Sequence, residues 1–197
     1  MPSLKQRISE QSTTPSGIHE AMARHAEDIF DQFQGILPVF LGKRNQGPFL
    51  TLALPKQISQ SRETLLSSLT DLIAAYELSL VSFVSAIQSR SESDEIAKLG
   101  AILITANNAS SLHQLPWQLE FDSEANLVSH TRSETDTDII PLDTWRYFFE
   151  QSPGPAEKQT AYNNLLLTFG DPNAIPEFSV QIYRHADTAT IQQPIFS

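Results

Sequence analysis

The spacing of apolar residues changes several times along the chain, and each change marks an element. Pro38–Leu41 and Phe49–Leu54 are short apolar runs joined by a glycine-bounded turn, Gly42 to Gly47, which predicts a hairpin closed by Pro55. From Ser61 to Tyr76 the period becomes helical. Leu65, Leu66, Leu69, Leu72 and Ile73 form one stripe, and Arg62, Glu63, Ser67 and Asp71 lie off it. Leu80–Ile87 and Ala101–Ala106 are almost continuously apolar, as strands buried on both faces are, and the polar run Ser89–Glu95 lies between them. Trp117–Phe121 alternates strictly, which predicts a half-buried strand. The turn Asp122–Asn126 leads into Leu127–His130, and Thr131–Asp138 reads as a polar, acidic loop.

The flanks follow the same rules. Ile18, Met22, Ala26, Ile29 and Phe33 recur at helical spacing, so Ile18–Gln34 reads as a helix with Ser16 as N-cap and Gly35 as its stop. Asp143 caps a short aromatic helix, Thr144–Glu150, which Pro153-Gly154-Pro155 breaks. A further helix runs from Ala156 to Leu167, and Phe178–Tyr183 reads as a last strand. The order α-β-β-α-β-β-β-β-α-α-β predicts an α+β fold, a mixed and mostly antiparallel sheet with helices packed on it. The expected organisation is a flexible N-terminal arm over residues 1–17, a single domain over 18–185 and an extended tail over 186–197, whose Ile191, Ile195 and Phe196 suit docking on a neighbour.

Composition narrows the chemistry. The 197 residues suffice for one domain with a sizeable core. With no cysteine, disulfides, cysteine-ligated metals and thiol nucleophiles are excluded. No stretch approaches the roughly 20 apolar residues of a membrane span, and Met1–Arg7 has no apolar run behind it, so a cytoplasmic protein, or part of a particle assembled there, is expected. A net charge of −10 disfavours direct contact with nucleic acid. It suits simple solubility, a basic partner or mimicry of nucleic acid.

Motifs are incomplete. Gly42-Lys43-Arg44-Asn45-Gln46-Gly47 has the glycine spacing of a phosphate loop, but Pro48-Phe49 replaces its Lys and Ser or Thr, and a strand follows in place of a helix. His19-Glu20 with His25 resembles a zincin motif, but six residues place the two rings roughly opposite on a helix, so both read as exposed surface histidines. Glu134, Asp136 and Asp138 alternate as calcium ligands do. The sixth and twelfth positions, Ile139 and Trp145, break the pattern, so a solvated loop is the default and a cation site its alternative. No nucleophile elbow is present; His113 and His130 are the first candidates for a general base. No cofactor is implied.

Two features suit recognition beside a plainer role: the acids a docking face for a basic partner as well as a solvated sheet edge, the aromatics a contact surface as well as core packing. Residues 120–150 hold eight acids and two arginines, with Glu120, Asp122 and Glu124 around one turn. Trp145, Phe148 and Phe149 share a helix face, and Tyr147 is left over. The run Gly35–Gly42, the strand ending at Pro55, the following helix and Val81–Ser85 resemble uncharacterised bacterial and phage-encoded α+β proteins over residues 20–105. Such proteins often carry Glu-Ala-Trp where this chain has Ala86-Ile87-Gln88, so the resemblance implies a fold type and no function. The expectation is a small acidic protein-binding or assembly protein, phage-associated or from a bacterial conflict system. It would act by surface complementarity on a protein partner or on itself, through the hairpin acids and Trp145, Tyr147, Phe148 and Phe149. The alternatives are a hydrolase using His with Asp or Glu, with or without metal, and an acidic mimic that inhibits a nucleic-acid-binding protein.

Overall fold

The computed structural model describes residues 2–10, 13–44, 47–54, 62–89, 98–108, 111–133, 142–150 and 153–178. Its elements are α1 (Leu4–Glu10), α2 (Pro15–Phe33), β1 (Val39–Arg44), β2 (Phe49–Ala53), α3 (Arg62–Tyr76), β3 (Leu78–Ser89), β4 (Lys98–Asn107), β5 (Leu112–Phe121), β6 (Leu127–Arg132), α4 (Leu142–Glu150), α5 (Pro155–Phe169), a 3-10 turn at Pro172–Ala174, and β7 (Glu177–Phe178). Seven strands form one sheet in the order β6-β5-β4-β3-β1-β2-β7, and every pair is antiparallel. The α+β fold expected from the apolar periods is observed, with a fully antiparallel sheet.

The long middle strands are covered on both sides, which explains their continuous apolar character. On β3, Val81 and Phe83 face α3, α4 and α5, while Leu80 and Val84 face α1 and α2. On β4, Ile102, Ile104 and Ala106 take the first side and Ala101, Leu103 and Thr105 the second, as the two-residue period of a strand requires. Between α3 and β3 stands one residue, Glu77, held at φ 52°. Its carboxylate accepts a hydrogen bond from Lys158 on α5. Across the same layer the Tyr76 hydroxyl donates to the Pro172 carbonyl, tying α3 to the chain beyond α5.

Several boundaries differ from the sequence reading. Residues 1–17, expected to be a flexible arm, contain α1 and the start of α2. Leu4 and Ile8 enter the core, with Ile8 0% exposed, and Arg7 pairs with Asp28. The N-cap of α2 is Thr14 rather than Ser16; its hydroxyl accepts from Gly17 N at 3.2 Å, and Pro15 occupies the first turn. The left-handed residue that ends α2 is Gln34, ahead of Gly35, at φ 50°. Phe30, not Phe33, completes the buried stripe; Phe33 is exposed. β5 starts five residues before the alternating segment, at Leu112, because Pro116 lies within a strand. Pro116 stands opposite Ser133, one residue beyond β6, so its missing N–H forfeits only the reciprocal bond to the Ser133 carbonyl past the end of the β5–β6 ladder, and its own carbonyl accepts from Ser133 N at 2.8 Å. The tail over 186–197 and the last strand beyond Phe178 lie outside the described residues.

Gly100 tests the tightness of the β4–β5 contact. A Cβ there would sit 2.8 Å from the Trp117 carbonyl oxygen, a backbone atom that cannot swing away. Gly100→Ala is expected to lower stability by about 1–3 kcal/mol through overpacking. A urea midpoint unchanged from wild type would show that the strands separate freely there.

Candidate functional site

α2 carries the chain's densest set of polar contacts to the sheet. Glu27 sits at its centre. Its Oε1 accepts from Trp117 Nε1 at 3.0 Å and from Arg132 Nε at 2.6 Å, and its Oε2 accepts from Arg132 Nη2 at 3.0 Å. The fork of two parallel N–H···O bonds is the strongest geometry an arginine can offer a carboxylate. Burial pushes the Glu27 carboxyl pKa up, but the hydrogen bonds from Arg132 and Trp117 outweigh it and hold the group below its ordinary value. Arg132 reaches further to Glu20 at 3.3 Å, and Glu20 also accepts from Arg24 at 2.9 Å. One turn beyond Glu27, His130 Nε2 meets Asp31 Oδ1 at 3.0 Å, and the His130 ring lies edge-on to Phe30. The helix is thus joined to β5 and β6 over three turns.

At its N-terminal end α2 lays His19 over β4. The His19 Nδ1 is 2.9 Å from Thr105 Oγ1, which is 2.7 Å from Ser82 Oγ. No hydroxyl proton is left unused if Ser82 donates to Thr105, Thr105 donates to His19 Nδ1, and the imidazole proton resides on Nε2. Ser82 and Thr105 are fully buried, so this chain anchors the helix and cannot present a nucleophile to a substrate. His113, opposite Thr105 on β5, lies 5.5 Å from His19 ring to ring. His19 and His25 are therefore partly buried, not the exposed histidines expected from their spacing. Burial, and behind it the charges of Arg132 and His113, pushes the His19 pKa from 6.5 down to about 4. His25 is pushed down as well, by burial and the neighbouring charge of Arg7.

Beside the His130–Asp31 pair opens a groove of about 490 Å³ between α2 and β6, lined by Phe30, Asp31, Gln34, Leu127, Val128, Ser129 and His130. β6 is the end strand of the sheet. A register shift opposite Glu120 and Phe121 leaves Val128 as the extra residue, a bulge that turns it outward and 60% exposed. The Asp31 side chain is 74% exposed even with His130 beside it.

Of the hairpin acids, Asp122 and Glu124 lie in the turn between β5 and β6, and Glu120 lies within β5. Asp122 is largely committed to the turn itself: its Oδ1 accepts from Asn126 N at 2.8 Å, its Oδ2 from Asn126 Nδ2 at 3.1 Å and its Oδ1 also from Glu124 N at 2.9 Å, and these bonds lower its pKa. Ala125 completes the turn at φ 64°. Glu120 accepts from Ser129 Oγ at 2.7 Å on the sheet face away from α2. Glu124 is exposed at the tip. The aromatic helix packs on the sheet face away from α2, the side that Glu120 also takes. Trp145 and Phe148 are buried against α3, α5 and the opposite sheet face, Phe149 packs beside them, and Tyr147 projects outward, 63% exposed. Of the acids that sequence reasoning joined to the aromatics in one contact zone, Glu120 shares a side of the sheet with the aromatic helix, while Asp122 and Glu124 stand in the turn. Glu134, Asp136 and Asp138 lie outside the described residues, and among the described residues no three His, Asp or Glu side chains converge as metal ligands do. Asp31 and Glu27, missed in the sequence as site residues, show there only as acids on a polar helix flank shared with Glu20 and Arg24.

Asp31, Ser129 and His130 line one groove, yet they do not form a nucleophilic triad. Neighbouring residues on a strand point to opposite faces, and Ser129 is bonded to Glu120 on the far side from His130. Compared with known families, curated proteins and solved structures, this chain matches no family model, no curated protein and no solved structure, so its likeness to bacterial and phage proteins over residues 20–105 gains no support there.

His19 makes a pH-dependent anchor. Folded, it takes a proton only below about pH 4; unfolded, it takes one below its usual value of 6.5. The unfolded state holds the extra proton between those values, so this contribution is complete above pH 6.5, falls as the pH drops and levels off near 4. Between pH 7 and pH 5, wild type is expected to lose about 2 kcal/mol more stability in urea melts than His19→Gln. Parallel pH slopes for the two proteins would contradict the anchor.

Proposed function

We propose that this protein works by binding a protein partner, and that the contact face is the β6 edge with its groove and the β5–β6 hairpin. The observation that carries the reading is the groove itself. It places an outward-bulged Val128 and the buried edge of the core, Phe30 and Leu127, beside the exposed carboxylate of Asp31 at the end of a sheet. Apolar contact supplies affinity, and the carboxylates of Asp31 and Glu124, on a chain of net charge −10, select a basic surface. Tyr147 stands apart from this face and is not needed by it. No helix among the described residues is long and apolar enough to cross a membrane.

A hydrolytic reading has one observation in its favour, the His130–Asp31 pair at the groove. It has no nucleophile within reach among the described residues, and it would rest on water activated by an imidazole whose carboxylate partner is largely in solvent.

Affinity capture with the intact chain as bait tests the binding reading. Wild type is expected to retain a discrete basic partner, and the double variant Asp31→Lys, Glu124→Lys to retain about tenfold less or lower, with unchanged circular dichroism. Equal capture by both baits would move the interface elsewhere, and capture of nothing by wild type would count against partner binding.

A further inference from the structure

The hydrogen-bond phase of β6 says how a partner would engage this face. Ser133 N–H points inward, to the Pro116 carbonyl, and Gln118 and Glu120 stand opposite Thr131 and Ser129. Alternation along the strand therefore turns the N–H and C=O groups of His130 and Arg132 away from β5, off the end of the sheet. The bulge at Val128 resets the phase, so Leu127 N–H also points outward, and there the Gln34 carbonyl at the end of α2 accepts it at 2.8 Å. One end of the edge is thus closed by α2. Along the rest, no strand among the described residues stands beside it.

Exposed edges are commonly blunted by a charged side chain projecting from the strand. Arg132 is in that position, but its guanidinium is folded back onto Glu27 and Glu20. Among the described residues no strand covers the backbone of this edge, and the acid beside it is Asp31.

We propose that β6 accepts an extended segment of a partner protein as an eighth strand, with a Lys or Arg of that segment meeting Asp31 and apolar residues entering the groove at Phe30, Leu127 and Val128. This rests on the partner-binding reading above and adds its mode. The occupant is a basic, apolar-alternating segment. A second copy of the chain would bring another net charge of −10 to the same acidic edge, whereas a basic segment is attracted to it. Main-chain hydrogen bonds to His130 and Arg132 supply the affinity; side chains above and below the strand supply the choice.

The full chain, labelled with nitrogen-15, is titrated with a short peptide in which Val alternates with Lys and Thr. Amide shifts concentrated at residues 128–132 are expected. Binding should weaken about tenfold or more when alternate peptide nitrogens are methylated, and likewise when Lys is replaced by Glu or Val128→Lys is introduced. Equal binding of the methylated peptide would overturn strand addition while leaving an acidic partner-binding face in place, as would shifts confined to Glu124 and its neighbours. No binding of the Lys peptide would overturn strand addition, and the capture experiment would then decide the wider reading alone. Concentration-dependent shifts at residues 128–132 without peptide would assign the edge to a second copy and overturn the basic segment.

Discussion

The seating of α2 on the sheet depends on one carboxylate. Glu27 is shielded by the helix it belongs to and receives three hydrogen bonds, one from the Trp117 indole and two from the Arg132 guanidinium. A partly buried acid is tolerable only when its charge is matched and its lone pairs are filled, and here both conditions are met by residues of two different strands. The consequence is mechanical. β6 is the end strand among the described residues, with β5 beside it, and α2 holds both through side-chain bonds. His19 on Thr105 and His130 on Asp31 extend the same attachment to either side of Glu27.

This attachment decides what the edge can do. It draws Arg132 onto the helix and so removes the charge that would otherwise guard the strand. It also sets the end of α2 against Leu127, which defines the groove. A sheet edge that no further described strand covers, with an apolar bulge and a carboxylate at its margin, supports the recognition proposed above more than bond breaking. Its one imidazole–carboxylate pair has its neighbouring serine turned to the other face.

Much of the architecture was legible because the middle of the sheet is buried on both sides. Leu80–Ile87 and Ala101–Ala106 could hardly be anything but central strands, and the stripe of α3 could only lie across them. Less was legible at the margins. Leu4 and Ile8 are a single i, i+4 pair in a polar segment, too short a pattern to mark α1 without the partner surface it packs on. The alternation from Trp117 to Phe121 marked only half of β5, and the tolerance of Pro116 within the strand depends on where β6 stops. The site was legible only in part. Asp122 and Glu120 drew notice as acids, but Asp122 serves its own turn, Glu120 is bonded to Ser129, and of the aromatic helix paired with them Trp145 and Phe148 are core residues. Glu27 and Asp31 look like ordinary helix-surface acids until residues far along the chain, Trp117, His130 and Arg132, are brought against them. Contacts between distant positions leave no local period to read.

Amide hydrogen exchange on the intact protein, with and without Glu27→Ala, tests the central claim most directly. In wild type, Ser129, Thr131 and Ser133 should exchange slowly and His130 and Arg132 fast. Removing the Glu27 carboxylate should collapse the protection of β6 and of the last turns of α2 while β3 and β4 keep theirs. Uniform protection along β6 in wild type, or an Ala variant whose β6 exchanges no faster, would contradict an open edge held in place by Glu27.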